Sequence, residues 1–336
     1  MKFRKRISFL LTFMILLAAC SGAPVETSPT PPLATQTLTP VPATVTSTTT
    51  PSPTPTATPR PLVPNFEHIV IIMFENKEFG TVIGSVSGNT LMPNYNKLAR
   101  EYTLLTQYYA VTHPSLPNYI AFIGGDTFGI DVNCNDCFIN APSLPDYIEA
   151  SGRTWKTYQE DMPEPCFLGD AHLYVQKHNP FIYFDPIRLD QARCERSIVP
   201  LTALQTDIAA GTLPNFSFIK PNLCNDSHDC ELDVSDAWLT DLLGYLVPAL
   251  DATGESYFIA MLFEEGQGNH SCCGLPLEAG GRVPVVLYSP LVKNGFGDAT
   301  PYTHYSLLKT ISAAWGLPYL GHAAEDSHQL IVAPWK

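Results

Sequence analysis

Two near-continuous apolar runs, His68 to Phe74 (HIVIIMF) and residues 256–263 (SYFIAMLF), constrain this chain more than any other feature. Neither alternates polar with apolar residues, so neither suits a sheet with one face in water. Strands of this kind are covered on both faces, as in largely parallel sheets with helices above and below. Residues 215–219 (NFSFI) and 283–288 (VPVVLY) read as further strands of the same sheet. Helical segments are expected around residues 93–102, 116–123, 145–150, 201–209, 235–250 and 305–315. No internal repeat is visible. The expected fold class is α/β: a three-layer α/β/α sandwich with a mostly parallel central sheet.

The chain has 336 residues, and the globular composition begins only at residue 65. Residues 1–6 carry Lys2, Arg4, Lys5 and Arg6, and an apolar run over residues 7–19 follows. A basic start and a hydrophobic stretch too short to span a bilayer read as a secretory leader. It ends in Leu17-Ala18-Ala19-Cys20, which resembles a bacterial lipobox. Lipidation of Cys20 would make it the mature N-terminus and the only membrane contact, placing the protein at the cell surface or in the periplasm. Residues 21–64 are rich in Thr, Pro and Ser, with Glu26 and Arg60 as their only charges. Such a segment buries too little apolar surface to offset its ordering entropy, and its prolines favour an extended stalk. Residues 65–336 form the expected catalytic domain.

Charge and cysteine content narrow the partners. The net charge is 19 − 32 = −13, and loss of four basic groups with the leader would make it 15 − 32 = −17. So acidic a surface argues against nucleic acid as a partner, because phosphate backbones call for Lys and Arg. It suits a site that gathers cations. Besides Cys20 there are eight cysteines: Cys134, Cys137, Cys166, Cys194, Cys224, Cys230, Cys272 and Cys273. An even number in an exported chain points to disulfides, whose pairing the sequence leaves open. Cys134 and Cys137 have CxxC spacing, but no second pair matches it as a zinc site would require.

Ligands of open α/β sheets bind beyond the carboxyl ends of the strands, and here those ends carry acids and amides. The first strand ends in Glu75-Asn76, another in Glu264-Glu265-Gly266, and a third leads through Asn222 to Asn225-Asp226-Ser227-His228-Asp229. Several carboxylates on one rim repel unless a cation sits among them. Oxygen ligands fit Mg²⁺, Ca²⁺ or Mn²⁺, and added histidine would fit Zn²⁺ or Fe. Ser115, in the run THPSLPNY at the start of an expected helix, faces unpaired N–H groups and the positive end of the dipole, a cradle for phosphate or sulfate.

In order and spacing these segments resemble the phosphoesterase family of bacterial and fungal acid phosphatases and phospholipase-C-type enzymes, within the alkaline-phosphatase superfamily. The motifs are FENKEF (74–79), THPSLPNY (112–119), PNFSFIKPNLCNDSHDC (214–230) with Asp236-Ala237-Trp238-Leu239, FEEG (263–266), and VPVVLYSP (283–290) followed by YTHYSLLKTI (302–311). The resemblance covers most of residues 66–320 and implies an alkaline-phosphatase-like fold. It implies that Ser115 attacks phosphorus and is transiently phosphorylated, assisted by a divalent metal ion (Mg, Ca, Mn, Zn or Fe). Glu75, Asn76, Glu264 and Glu265 would hold that metal. Asn118 would donate to a phosphate oxygen, and His113, His228 and Asp229 would bind phosphate or move protons. Asn222, Asp226 and His304 are further substrate-binding candidates. The family usually has Asp-Glu or Asp-Asp where this chain has Glu264-Glu265. The longer side chain would reach further or shift the metal preference.

The remaining histidines are set aside. His68 starts a strand; His172, His178, His322 and His328 lie in segments without partners; His270 sits in a loop expected to be tied by cysteines. The expected activity is hydrolysis of phosphoric monoesters, on a small-molecule or lipid substrate. The alternatives are phospholipase C or phosphodiesterase action on the same fold, and a catalytically inactive surface lipoprotein.

Overall fold

The computed structural model describes residues 61–84 and 91–336. The expected leader, Cys20 and the expected stalk as far as residue 60 lie outside the described residues. The strands are β1 (His68–Phe74), β2 (Thr103–Leu105), β3 (Tyr108–Tyr109), β4 (Trp155–Gln159), β5 (Ile198–Pro200), β6 (Phe216–Lys220), β7 (Tyr257–Phe263), β8 (Val285–Tyr288), β9 (Phe296–Asp298) and β10 (Tyr302–Thr303). Among the described residues, eight of them form one sheet in the order β5-β4-β6-β1-β7-β8-β2-β9, and β10 pairs with β3 in a separate ladder. The sheet is parallel except at β8, which runs antiparallel to both β7 and β2. The mostly parallel α/β fold expected from the sequence is the one observed.

Every residue of β1 and β7 is buried, as runs without polar alternation require. The two pair in parallel with Phe74 opposite Phe263, so the residues that follow, Glu75 and Glu264, emerge side by side at the carboxyl edge. On the other flank Ile72 pairs with Ile219, bringing the segment after β6 to the same edge. Helix Ser115–Gly124 is buried along its whole length and packs against helix His304–Trp315, while helices Pro93–Glu101 and Leu232–Thr253 pack against each other. A helix buried on every side belongs inside the layers. Gly125 ends it in the left-handed conformation (φ 77°), and a Cβ there would collide with the backbone of Leu320. That close approach requires glycine.

The eight cysteines pair as Cys134–Cys137, Cys166–Cys194, Cys224–Cys230 and Cys272–Cys273. The CxxC is thus a disulfide, and Cys224–Cys230 closes the loop that carries Asp226. No helix among the described residues is long and apolar enough to cross a membrane.

Candidate active site

Past the end of β1 the backbone is held from both sides. Glu75 N–H donates to Asp226 O at 2.9 Å, Glu264 N–H to Phe74 O at 3.2 Å, and Lys77 N–H to Glu265 O at 3.1 Å. Asn76 turns the chain with a left-handed backbone (φ 46°), and its N–H donates to Glu264 Oε2 at 2.9 Å. These bonds set Glu75, Glu264 and Glu265 in one group, with ligand oxygens all within 4.8 Å of one another.

Ser115 is the first residue of its helix, and its hydroxyl reaches this group. Oγ lies 2.6 Å from Glu75 Oε1 and 2.8 Å from Glu265 Oε1. A hydroxyl has one proton, so it donates to one carboxylate at a time and exposes lone pairs to the other. One turn on, the Tyr119 hydroxyl donates to Glu75 Oε2 at 2.7 Å. The second oxygen of Glu265 meets His113 Nδ1 at 2.5 Å, and His113 Nε2 lies 3.2 Å from Gly268 O.

Opposite signs of charge divide the site. Burial alone would raise the Glu75 carboxyl, but the charges of His178 and Lys220 outweigh it and hold the group well below the carboxylate range. Asp226 is likewise lowered: burial opposes, and the Lys220 charge together with His178 outweighs it. Lys220 Nζ stands 2.6 Å from Asp226 Oδ2 and 3.9 Å from Glu75 Oε2. His178 Nε2 lies 3.1 Å from Glu75 Oε1 and Nδ1 3.4 Å from Asp226 Oδ2, a charge contact too oblique for a hydrogen bond at Nε2. Glu264 goes the other way. Burial, then the charges of Glu75 and Glu265, push it well above the ordinary value. Burial also raises Glu265.

Two groups of potential ligands share Glu75: Glu75, Glu264 and Glu265, and Glu75, His178 and Asp226. The second already contains the Lys220 ammonium. In the first, Lys220 approaches only Glu75, at 3.9 Å, and Glu264 Oε1 is buried without a hydrogen-bond partner. An orphaned buried oxygen among three carboxylates fits a hard divalent cation, which would relieve the repulsion that raises Glu264 and Glu265.

The other expected residues fall around this centre. Asn118 lies below it with its amide spent on the preceding loop. Its Oδ1 accepts from Val111 and Thr112 N–H at 2.8 and 3.1 Å, and its Nδ2 donates to Thr112 O and Pro114 O at 2.8 and 3.3 Å. Asn222 caps its own loop, accepting from Cys224 and Asn225 N–H and donating to Asp161. His228 and Asp229 pair at 2.6 Å in a more open position, and the His228 ring is 6.3 Å from that of His178. His304 is fully buried: Nε2–H donates to Glu264 O and Nδ1 accepts from the Tyr108 hydroxyl at 3.1 Å. It therefore braces the carboxylate's backbone, and burial pushes its pKa down to about 4.

His178 corrects the expectation that its segment has no partners. It is buried to 2% exposure between Glu75 and Asp226. Lys220 and Tyr119 were also outside the candidate set. Tyr119 stands four residues after Ser115 on an expected helix, the spacing of one face, and Lys220 ends a strand at the carboxyl edge that carries the acids. For His178 the surrounding residues give no such signal; only the fold brings it in.

Comparison with known proteins agrees with this architecture. The model of the Phosphoesterase family matches residues 89–318. A phosphate-repressible acid phosphatase of Penicillium chrysogenum is 36% identical over 267 residues, covering 76% of this chain and 60% of that protein. An acid phosphatase of Aspergillus fumigatus is 35% identical, covering 68% of this chain and 52% of its own length. This chain thus spans little more than half the length of these fungal relatives. A phosphatidylinositol-3-phosphatase of Mycobacterium tuberculosis is 31% identical, covering 78% of this chain and 81% of that protein. Among solved structures, a Vibrio parahaemolyticus protein of the alkaline phosphatase superfamily superposes with TM-score 0.52 at 11% identity, covering 79% of this chain and 71% of that one. A phosphonate monoester hydrolase from Silicibacter pomeroyi gives 0.52 at 12% identity, covering 80% and 76%. At that identity they speak for the fold alone.

Proposed function

Because this chain belongs to the Phosphoesterase family, we propose that it hydrolyses phosphoric monoesters by way of a phosphoserine at Ser115. The observation that carries the reading is the Ser115 hydroxyl held between two buried carboxylates, at 2.6 and 2.8 Å, at a helix N-terminus. Glu75, Asn76, Glu264 and Glu265 would hold a divalent cation, which when bound lowers the pKa of the hydroxyl and offsets phosphate charge.

Ser115 Oγ gives up its proton toward the carboxylate it faces and forms the new O–P bond, while the bond from phosphorus to the leaving oxygen breaks. The leaving alkoxide takes a proton from His113 or His228, the histidines at the open side of the site. A water, deprotonated at the same side, then cleaves the O–P bond of the phosphoserine and returns Ser115 to its hydroxyl form. Lys220 and His178 favour the ionised form of Glu75, so in the resting site Glu75 is an acceptor and not a donor toward Ser115. The relative acting on a phosphatidylinositol phosphate supports a lipid monoester as one substrate class. The Cys20 lipobox and the four disulfides support an exported, membrane-anchored enzyme working outside the reducing cytosol.

Hydrolysis of p-nitrophenyl phosphate should be abolished by chelator, restored by a divalent metal, and lost in Ser115→Ala with the fold retained. A panel adding phosphatidylinositol 3-phosphate, a diester and phosphatidylcholine separates monoesterase from phospholipase C action. Full turnover by Ser115→Ala would end the nucleophile assignment.

A further inference from the structure

The loop from Glu265 to β8 is fixed by a side chain outside the candidate set. Glu78 Oε2 accepts from Gly268 N–H at 3.1 Å and Oε1 from Arg282 N–H at 3.2 Å, and His270 Nδ1 is 3.3 Å from Oε1. Two ends of the loop therefore close on one carboxylate. Glycines make the room: a Cβ on Gly266 would collide with Glu78 Oε2, and one on Gly281 (φ 88°) would stand 2.9 Å from it.

The loop so anchored bears on the segment before Ser115. Ala110 N–H donates to Gly281 O at 3.0 Å, and Gly280 leaves no space for a Cβ against Thr112 O. Gly268, whose N–H Glu78 holds, offers its carbonyl to His113 Nε2 at 3.2 Å. The other nitrogen of His113 meets Glu265, and Glu265 receives the Ser115 hydroxyl at 2.8 Å.

We infer that Glu78 is a positioning residue for phosphoryl transfer, setting the His113 ring against Glu265 through the backbone of Gly268. The inference rests on the proposed role of Ser115 for its kinetic consequence, while the contacts it invokes do not. Without the carboxylate, two backbone N–H groups lose their acceptor, the Gly268 carbonyl turns away, and His113 is free to rotate off Glu265. Glu78 touches no reacting atom, so its loss should act on kcat more than on KM. A displacement of about 1 Å in a supporting group can cost on the order of 100-fold.

The test uses the full chain with p-nitrophenyl phosphate and the variants Glu78→Ala, Glu78→Gln, His113→Ala and Glu78→Ala with His113→Ala. Glu78→Ala should lower kcat by roughly 10- to 100-fold with KM within about twofold. Glu78→Gln, which keeps one acceptor oxygen, should fall between it and the wild type. The double variant should be no slower than His113→Ala alone, the mark of two residues acting on one path. Losses that multiply in the double variant, or a Glu78→Ala protein that melts earlier with unchanged kcat, would overturn the inference. The ¹⁵N resonances of the His113 ring, assigned by their loss in His113→Ala, give a readout free of turnover. They should move in Glu78→Ala, or in Glu78→Gln if the alanine variant does not fold; unmoved resonances overturn the inference. Moved resonances beside a fully active Ser115→Ala would instead fault the proposed nucleophile and leave the role of Glu78 standing.

Discussion

Replacing Lys220 with methionine keeps an unbranched side chain one atom shorter and removes the ammonium from between Asp226 and Glu75. Lys220 is 2% exposed, with Nζ 2.6 Å from Asp226 Oδ2 and 3.9 Å from Glu75 Oε2. At an effective dielectric of about 20 the closer contact alone is worth roughly 6 kcal/mol of attraction before desolvation is subtracted. Removing one member of a buried pair typically costs about 3–5 kcal/mol, because the other charge is stranded. Here the stranded group is Asp226, left with His178 and the N–H of His228. Thermal unfolding followed by circular dichroism should show a fall of roughly 10 °C, at about 2–4 °C per kcal/mol for a domain of this size. Activity should fall by about tenfold or more, since Glu75 loses one of the two charges that hold it ionised. Adding Asp226→Asn should restore part of the stability, with a coupling of at least about 2 kcal/mol across the cycle. A methionine variant as stable as the parent, or strictly additive single changes, would refute the view that this lysine supplies the positive charge of the site.

Other consequences follow from the same charges. Glu264 is pushed well above the ordinary carboxylate value by burial and by its two acidic neighbours, so without a cation its ionisation costs the fold stability as pH rises above about 4.5. Glu264→Gln, which mimics the protonated acid, should therefore melt higher than wild type at pH 7 in chelator, yet lose most of the stabilisation that added Mg²⁺ or Mn²⁺ gives the wild type. A Glu264→Gln protein stabilised by the cation as strongly as wild type would remove Glu264 from the ligand set. His304, pushed down to about 4 by burial, stays neutral in the fold while the unfolded chain takes up a proton below about 6.5. Its contribution is thus complete above pH 6.5 and drains away as pH falls toward 4, by about 3 kcal/mol in all. Denaturant titrations from pH 7 to 4 should show a shallower loss in His304→Gln; parallel curves would show that the ring does not matter.

The strands and acids that build the edge could be read from the sequence because buried parallel strands advertise themselves as unbroken apolar runs. His68–Phe74 was legible to the residue, and the expected helix at 116–123 is observed as Ser115–Gly124. Strand β4, Trp155–Gln159, was not legible, since its sequence WKTYQ hides burial behind polar groups. Most of those groups are satisfied inside the fold: Lys156 pairs with Asp207 at 2.7 Å and Gln159 Nε2 donates to Thr157 at 2.6 Å, while Gln159 Oε1 is buried without a partner. The strand expected at 283–288 was legible as a strand, but its reversed direction was not, because direction is set by connections and not by composition. The same limit explains His178. Its partners are Glu75, 103 positions earlier by numbering, and Asp226, 48 later, and proximity of that kind is a product of the sheet. Asn118 shows the converse. Its place beside Ser115 was plain, but only coordinates show its amide tying residues 111–114 into the loop that presents the serine.

The central claim is that Ser115 itself carries the phosphoryl group. Mixing the protein briefly with a phosphate ester, quenching in acid and sequencing the phosphopeptide by mass spectrometry tests it directly. The account expects phosphate on the serine of the 112–119 segment, formed and lost at rates compatible with turnover. Steady hydrolysis with no phosphate on that serine would contradict it.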